Sequence, residues 1–215
     1  MNRYTQGIAF MVEGDTELVF YEEYLSFVVR SNPGWSFEPL EEIGVVSFKL
    51  RSSKGLSIVK MYSADTITQV PNSGIWFIEE CAKPLHAIPW FVVLAYDTDG
   101  YNAPITKFHE GDWERLRTQL DCHARGIIEL AASADIEDIM LCDLGGVLDY
   151  LGLPKETKIP TGRKGKTKMK KLFKEVDIRN KYREGQKARP LIQSLDMKLI
   201  EERASVPLSA LKSIL

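Results

Sequence analysis

The chain has 215 residues, 44% of them hydrophobic and 27% charged, with a net charge of −2. That is enough for one sizeable core, and the near-neutral balance excludes a uniformly basic nucleic-acid-binding chain. The asymmetry is local: most acids precede residue 157, and a dense Lys/Arg run follows. No stretch approaches the ~20 apolar residues of a membrane span. The N-terminal apolar stretch is too short, and too soon acidic, for a signal peptide. Cys81, Cys122 and Cys142 form no CxxC, and His86, His109 and His123 have no zinc spacing. These features together predict a cytoplasmic protein with reduced thiols.

In chain order, GIAFMVE (7–13) reads as a buried strand. DTELVFYEEYLSFVVR (15–30) reads as a helix, with Asp15 or Thr16 as its cap and a stripe of Leu18, Tyr21, Leu25 and Val28. EIGVVSFKL (42–50) is a second strand, 51–72 is ambiguous, and SGIWFIEECAKPL (73–85) is helical. PWFVVLAY (89–96) is the continuous apolar run of a strand buried on both faces, and it ends in Asp97-Thr98-Asp99-Gly100. A loop leads to the helix DWERLRTQLDCH, then to the strand GIIELAA (126–132). Residues 134–151 follow as a helix bent at Gly145-Gly146. Strands alternating with helices predict an α/β fold with a mostly parallel sheet of about four strands. The expected division is an α/β domain over 1–154 and a basic loop with C-terminal helices, 155–215, packed on it.

Two of these strands end in acids. Ligands of open parallel sheets bind outside the carboxyl ends of the strands, so Glu13 and the Asp97/Asp99 pair should meet on one edge. Asp97 and Asp99 share a face if extended, and Glu17 follows Glu13 across a strand-to-helix turn. Converging carboxylates repel unless a cation neutralises them, and hard oxygen ligands select Mg²⁺ or Mn²⁺, as one or two ions. Either motif alone is as readily a turn or a helix cap.

Glu13-Gly14 after one strand and Asp97-Thr98-Asp99 after a later one resemble the signature of the Toprim fold of topoisomerases, primases and overcoming-lysogenization-defect (OLD) nucleases. "VEGDTELVFYEEYL" is similar to the form seen in OLD-type Toprim domains and in small stand-alone Toprim-like proteins, where the second Glu, here Glu17, also belongs to the site. "SADIEDIMLCDLGGVLDYLGLP" (133–154) resembles a further stretch of those relatives, with Glu137 matching their acid. Ile139-Met140 stand in place of their Trp-Leu. The later "GKTKMKKLFKE" resembles their lysine-bearing tail.

The resemblance implies a Toprim-like, Rossmann-like domain and metal-assisted phosphodiester hydrolysis in phage defence or DNA repair. Glu13, Asp97 and Asp99 would hold one ion. Glu17 and Glu137 would complete a second site, with Ser133 as a hydroxyl ligand or as a donor behind the ligands. Lys166 or Lys164 would meet charge on the phosphate. Lys158, Arg163, Lys164, Lys166, Lys168, Lys170 and Lys171 would bind backbone phosphates of DNA or RNA without reading bases.

Two alternatives stand beside it. One is a catalytically silent metal-binding subunit working with a partner ATPase, since this chain has no GxxxxGK[ST] of its own. The other is a haloacid-dehalogenase-like phosphatase with Asp97 as nucleophile, which leaves Glu13-Gly14 without a role.

Overall fold

A computed structural model describes residues 4–41, 45–98 and 110–215. The chain forms a six-stranded mixed sheet in the order β2-β3-β4-β1-β5-β6. Its strands are β1 (Gln6–Val12), β2 (Ser36–Leu40), β3 (Val46–Ser52), β4 (Gly55–Ser63), β5 (Trp90–Asp97) and β6 (Ala124–Ala132). β4, β1, β5 and β6 run parallel, as the alternation of strands and helices requires. The expected four-stranded sheet is extended by β2 and β3, which pair antiparallel with each other and with β4. The strand read over 42–50 is thus part of an antiparallel ribbon, and its partner β4 occupies the ambiguous stretch 51–72. Residues 42–44 lie outside the described residues.

Side-chain alternation explains why the central strands read as unbroken apolar runs. From β1, Ile8, Phe10 and Val12 enter one core, while Ala9 and Met11 enter another. From β5, Val93 and Ala95 take the first face, and Trp90, Val92, Leu94 and Tyr96 take the second. A strand between two layers must be apolar on both faces. Each fully buried Leu, Ile or Phe contributes roughly 1.5–3 kcal/mol relative to exposure.

The first face is covered by α1 (Asp15–Arg30), α4 (Ile136–Met140), α5 (Leu144–Leu151), α6 (Gly165–Val176), α7 (Arg189–Ser194) and α8 (Met197–Arg203). The second is covered by α2 (Ser73–Trp76), the π-helical turn Phe77–Ala82 that continues it, and α3 (Glu110–Asp121). Residues beyond 155 share the core of the first face: Met169, Leu172, Ile192, Ile200 and Leu211 are buried there with Phe10 and Val93. Arg189 clamps α7 onto α1, with Glu22 at 2.7 Å and Glu23 at 2.6 Å.

The helix expected over 134–151 is broken earlier than its glycines suggest. α4 ends at Met140, Leu141–Asp143 form a 3-10 turn, and α5 begins at Leu144. The break is a cap: Asp143 Oδ1 accepts the Gly146 N–H at 2.9 Å. Among the described residues no helix is long and apolar enough to cross a membrane.

Candidate functional site

β1 and β5 are neighbours in the sheet, but the chain leaves them in opposite directions, toward β4 from β1 and toward β6 from β5. Their carboxyl ends therefore flank the position where an open α/β sheet forms its crevice. A cleft of about 500 Å³ lies there. Glu13, Glu17, Asp97 and Glu137, all named from the sequence, line it together with Lys164 and Lys166. Asp15, Asp65, Asp135 and Glu184 line it as well. Asp99 falls outside the described residues.

Glu13 follows the last residue of β1. Its N–H bonds the Ala95 carbonyl at 3.0 Å, and its Oε2 accepts the Asp97 N–H at 2.9 Å. Gly14 is the N-cap of α1 and has extended backbone, so its conformation does not demand glycine. A Cβ there would stand 3.1 Å from Glu17 Oε2, so any larger residue would press on that carboxylate. Neither residue expected to cap α1 does so, because both lie inside the helix. The Thr16 hydroxyl instead accepts the Gly185 N–H at 2.9 Å, which ties the C-terminal segment to the rim of the cleft.

The carboxylates are held where they resist ionisation. Asp97 is pushed up to about 10 by burial, then by the charges of Glu17 and Glu13. Glu17 is pushed up to about 8 by burial, with Glu137 and Glu13 adding to it. Glu137, in the first turn of α4, is only 3% exposed. Burial and then Asp135 raise it to about 7, although it accepts the Tyr182 hydroxyl at 3.0 Å. Burial also raises Asp135. Burial of Lys166 works to lower its ammonium, but Glu184, with Glu137 and Asp135 behind it, leaves it raised.

One oxygen of this cluster is unpaired. Asp97 Oδ1 is buried and has no hydrogen-bond partner among the described residues. A buried acceptor without a donor costs about 1–3 kcal/mol unless something satisfies it. Every acidic group lining the cleft is a hard oxygen donor, and no His or Cys among the described residues lines it. That donor set suits Mg²⁺ or Mn²⁺ and not zinc. No three His, Cys, Asp or Glu side chains among the described residues are already gathered at ligand spacing.

The lysine that faces the acids is placed by a clasp between two helix starts. Asp135 is the N-cap of α4 and accepts the Asp138 N–H at 3.1 Å through Oδ1. Its Oδ2 accepts the Lys166 N–H, in the first turn of α6, at 3.0 Å. Asp138 accepts the Gly165 N–H at 2.9 Å and pairs with Lys168 Nζ at 2.7 Å. Gly165 is required by this approach, since a Cβ would fall 2.2 Å from the Asp138 nitrogen. Lys166 Nζ is paired with Glu184.

The rest of the basic run divides. Lys158, Arg163 and Lys170 are exposed. Lys168 is turned inward onto Asp138, and Lys171 Nζ donates to the Thr161 carbonyl at 2.6 Å. Ser133 does not line the cleft. Its hydroxyl lies 3.1 Å from that of Ser205, while its carbonyl accepts the Thr98 hydroxyl at 2.8 Å. Asp65, Asp135 and Glu184 were not expected from the sequence. Asp135 carries a signal, an Asp three residues before Asp138 at a helix start, but that signal announces only a cap.

No protein-family model matches the chain, and no curated protein matches it.

Proposed function

We propose that the chain is a Mg²⁺- or Mn²⁺-dependent nuclease that hydrolyses phosphodiester bonds of DNA or RNA. The observation that carries the reading is the buried Asp97 Oδ1, without a hydrogen-bond partner among the described residues, in a cleft shared with Glu13, Glu17 and Glu137. Glu13, Asp97 and Asp99 are the residues to hold one ion, with Glu17 and Glu137 completing a second site. An ion bound there supplies charge neutralisation and stabilises the attacking and leaving oxygens of the displacement.

The chain's own residues do the remaining work. Glu13 fixes the main chain at Asp97, so the acid that ends β5 is held against the acid that ends β1. The Tyr182 hydroxyl orients Glu137. Lys166, exchanging Glu184 for a phosphate oxygen, meets negative charge on the substrate. Lys158, Arg163 and Lys170 contact backbone phosphates, which gives affinity without base reading. A phosphatase centred on Asp97 alone leaves Glu17 and Glu137 idle.

The test is thermal melting with and without Mg²⁺ or Mn²⁺, on wild type and Asp97→Asn, followed by assays on plasmid, single-stranded DNA and RNA. The expected result is an ion-dependent rise in wild type only, with cleavage that needs the same ion. A rise without cleavage of any substrate favours the silent subunit of a partner ATPase. No rise in wild type overturns the metal site.

A further inference from the structure

A second concave surface adjoins the acidic cleft and has the opposite charge. A hollow of about 200 Å³ is lined by Tyr150, Phe173, Lys181, Tyr182, Arg183 and Lys187, among others. A neighbouring hollow of about 230 Å³ shares Asn180, Lys181 and Tyr182 with it and adds Lys170 and Lys174. No carboxylate among the described residues lines either hollow. The side chains of Lys174, Lys181, Arg183 and Lys187 make no ion pair among the described residues. Tyr150 is 42% exposed. Phe173 and Tyr182 meet edge to face, with ring centroids 5.4 Å apart.

The two surfaces share a wall. Glu184 and Gly185 line the acidic cleft, while Tyr182, Arg183 and Lys187 line the basic hollow. Tyr182 reaches across with its hydroxyl to Glu137. Along α6, Lys166 faces the cleft, and Lys170 and Lys174 line the second hollow. Residues four apart share one helix face, so these lysines form a stripe ~12 Å long from cleft to hollow. Glu184 stands at its start, on Lys166 and Lys170.

Cations beside accessible aromatic rings are the combination that binds single-stranded nucleic acid: the cations follow the backbone and the rings take a base. We propose that the Tyr150–Phe173–Lys181–Lys187 hollow is a nucleotide subsite, which holds an unpaired base of a single strand whose backbone follows Lys174 and Lys170 into the cleft. This rests on the nuclease reading for the direction of the strand and names its substrate as single-stranded.

The experiment is fluorescence anisotropy of labelled oligothymidylate, and of an abasic oligomer of equal length, in EDTA over a range of salt. Wild type should bind oligothymidylate about tenfold more tightly than the abasic strand. Tyr150→Ala should erase that preference and leave the salt slope unchanged. The triple variant Lys174→Gln, Lys181→Gln, Lys187→Gln should weaken both strands and lower the salt slope by ~0.7 for each phosphate no longer neutralised. Equal wild-type affinity for the two strands overturns the base subsite without recourse to any variant. Wild type binding neither strand also overturns it and assigns the patch to a protein partner. Because the measurement excludes metal and turnover, a failure of cleavage leaves its outcome untouched, and the converse holds.

Discussion

The Asp97 N–H donates to Glu13 Oε2 at 2.9 Å, so the acid closing β5 is tied to the acid closing β1 through its main chain. Its carboxyl group is thereby left out of the bond, and Asp97 Oδ1 stays buried without a donor among the described residues. A cation is the partner that would satisfy it. Saturating Mg²⁺ or Mn²⁺ should raise the melting temperature of wild type. At about 100 times Kd, the gain should be ~2.7 kcal/mol. Asp97→Asn should show little or none of it.

Without metal, substitution of these acids should not harm the fold. Glu13→Gln removes a charge from a repelling group, and Asp97→Asn replaces a carboxyl whose ionisation burial and its neighbours already oppose, so urea midpoints in EDTA should equal or exceed that of wild type. A large loss in both variants would make these acids structural.

The raised carboxylates also set a pH dependence. Asp97, Glu17 and Glu137 stand at about 10, 8 and 7 in the folded chain, above ordinary values of 3.8, 4.5 and 4.5. The folded state therefore holds protons that the unfolded state has released. Their stabilising contribution is complete below about pH 4 and is lost as pH climbs through the folded values. Metal-free stability should fall from about pH 5 toward pH 10, and Mg²⁺ should flatten that fall. Denaturant midpoints measured across pH, with EDTA and with Mg²⁺, check the sign.

Lys166 should separate metal binding from turnover. Lys166→Met should keep the Mg²⁺-dependent melting shift and lose most cleavage, since the lysine meets substrate charge and holds no ion.

Gly165→Ala should be more damaging than its size implies. The added methyl has no room against the Asp138 nitrogen, so overpacking should cost roughly 1–3 kcal/mol in a urea melt. Cleavage should fall further than that loss explains, because Lys166 is carried by the same turn.

The sequence revealed the parts of the fold whose pattern is local. β1 and β5 are legible because both faces are apolar, and the acids that end them mark the sheet's binding edge. β4 was obscured by Lys60, which is buried in the strand and sends its Nζ to the Glu80 carbonyl at 3.0 Å. Nothing near Lys60 in the chain announces that acceptor. The antiparallel ribbon was missed because strand direction depends on a partner, and β2 reads as a polar, Pro-containing stretch. The role of Asp135 was hidden for the same reason. Its second duty concerns a helix about 30 residues away, and spacing carries no trace of it.

The clasp has an evolutionary consequence. Asp135 joins the start of the helix bearing Glu137 to the start of the helix bearing Lys166, and Gly165 leaves no slack between them. Acid and base in the cleft are thus fixed to one another through the two helix starts. Residues 135, 138 and 165 should behave as a single inherited trait. Change at one is tolerated only with change at the others, and descendants of this chain should keep the trio together or lose it together.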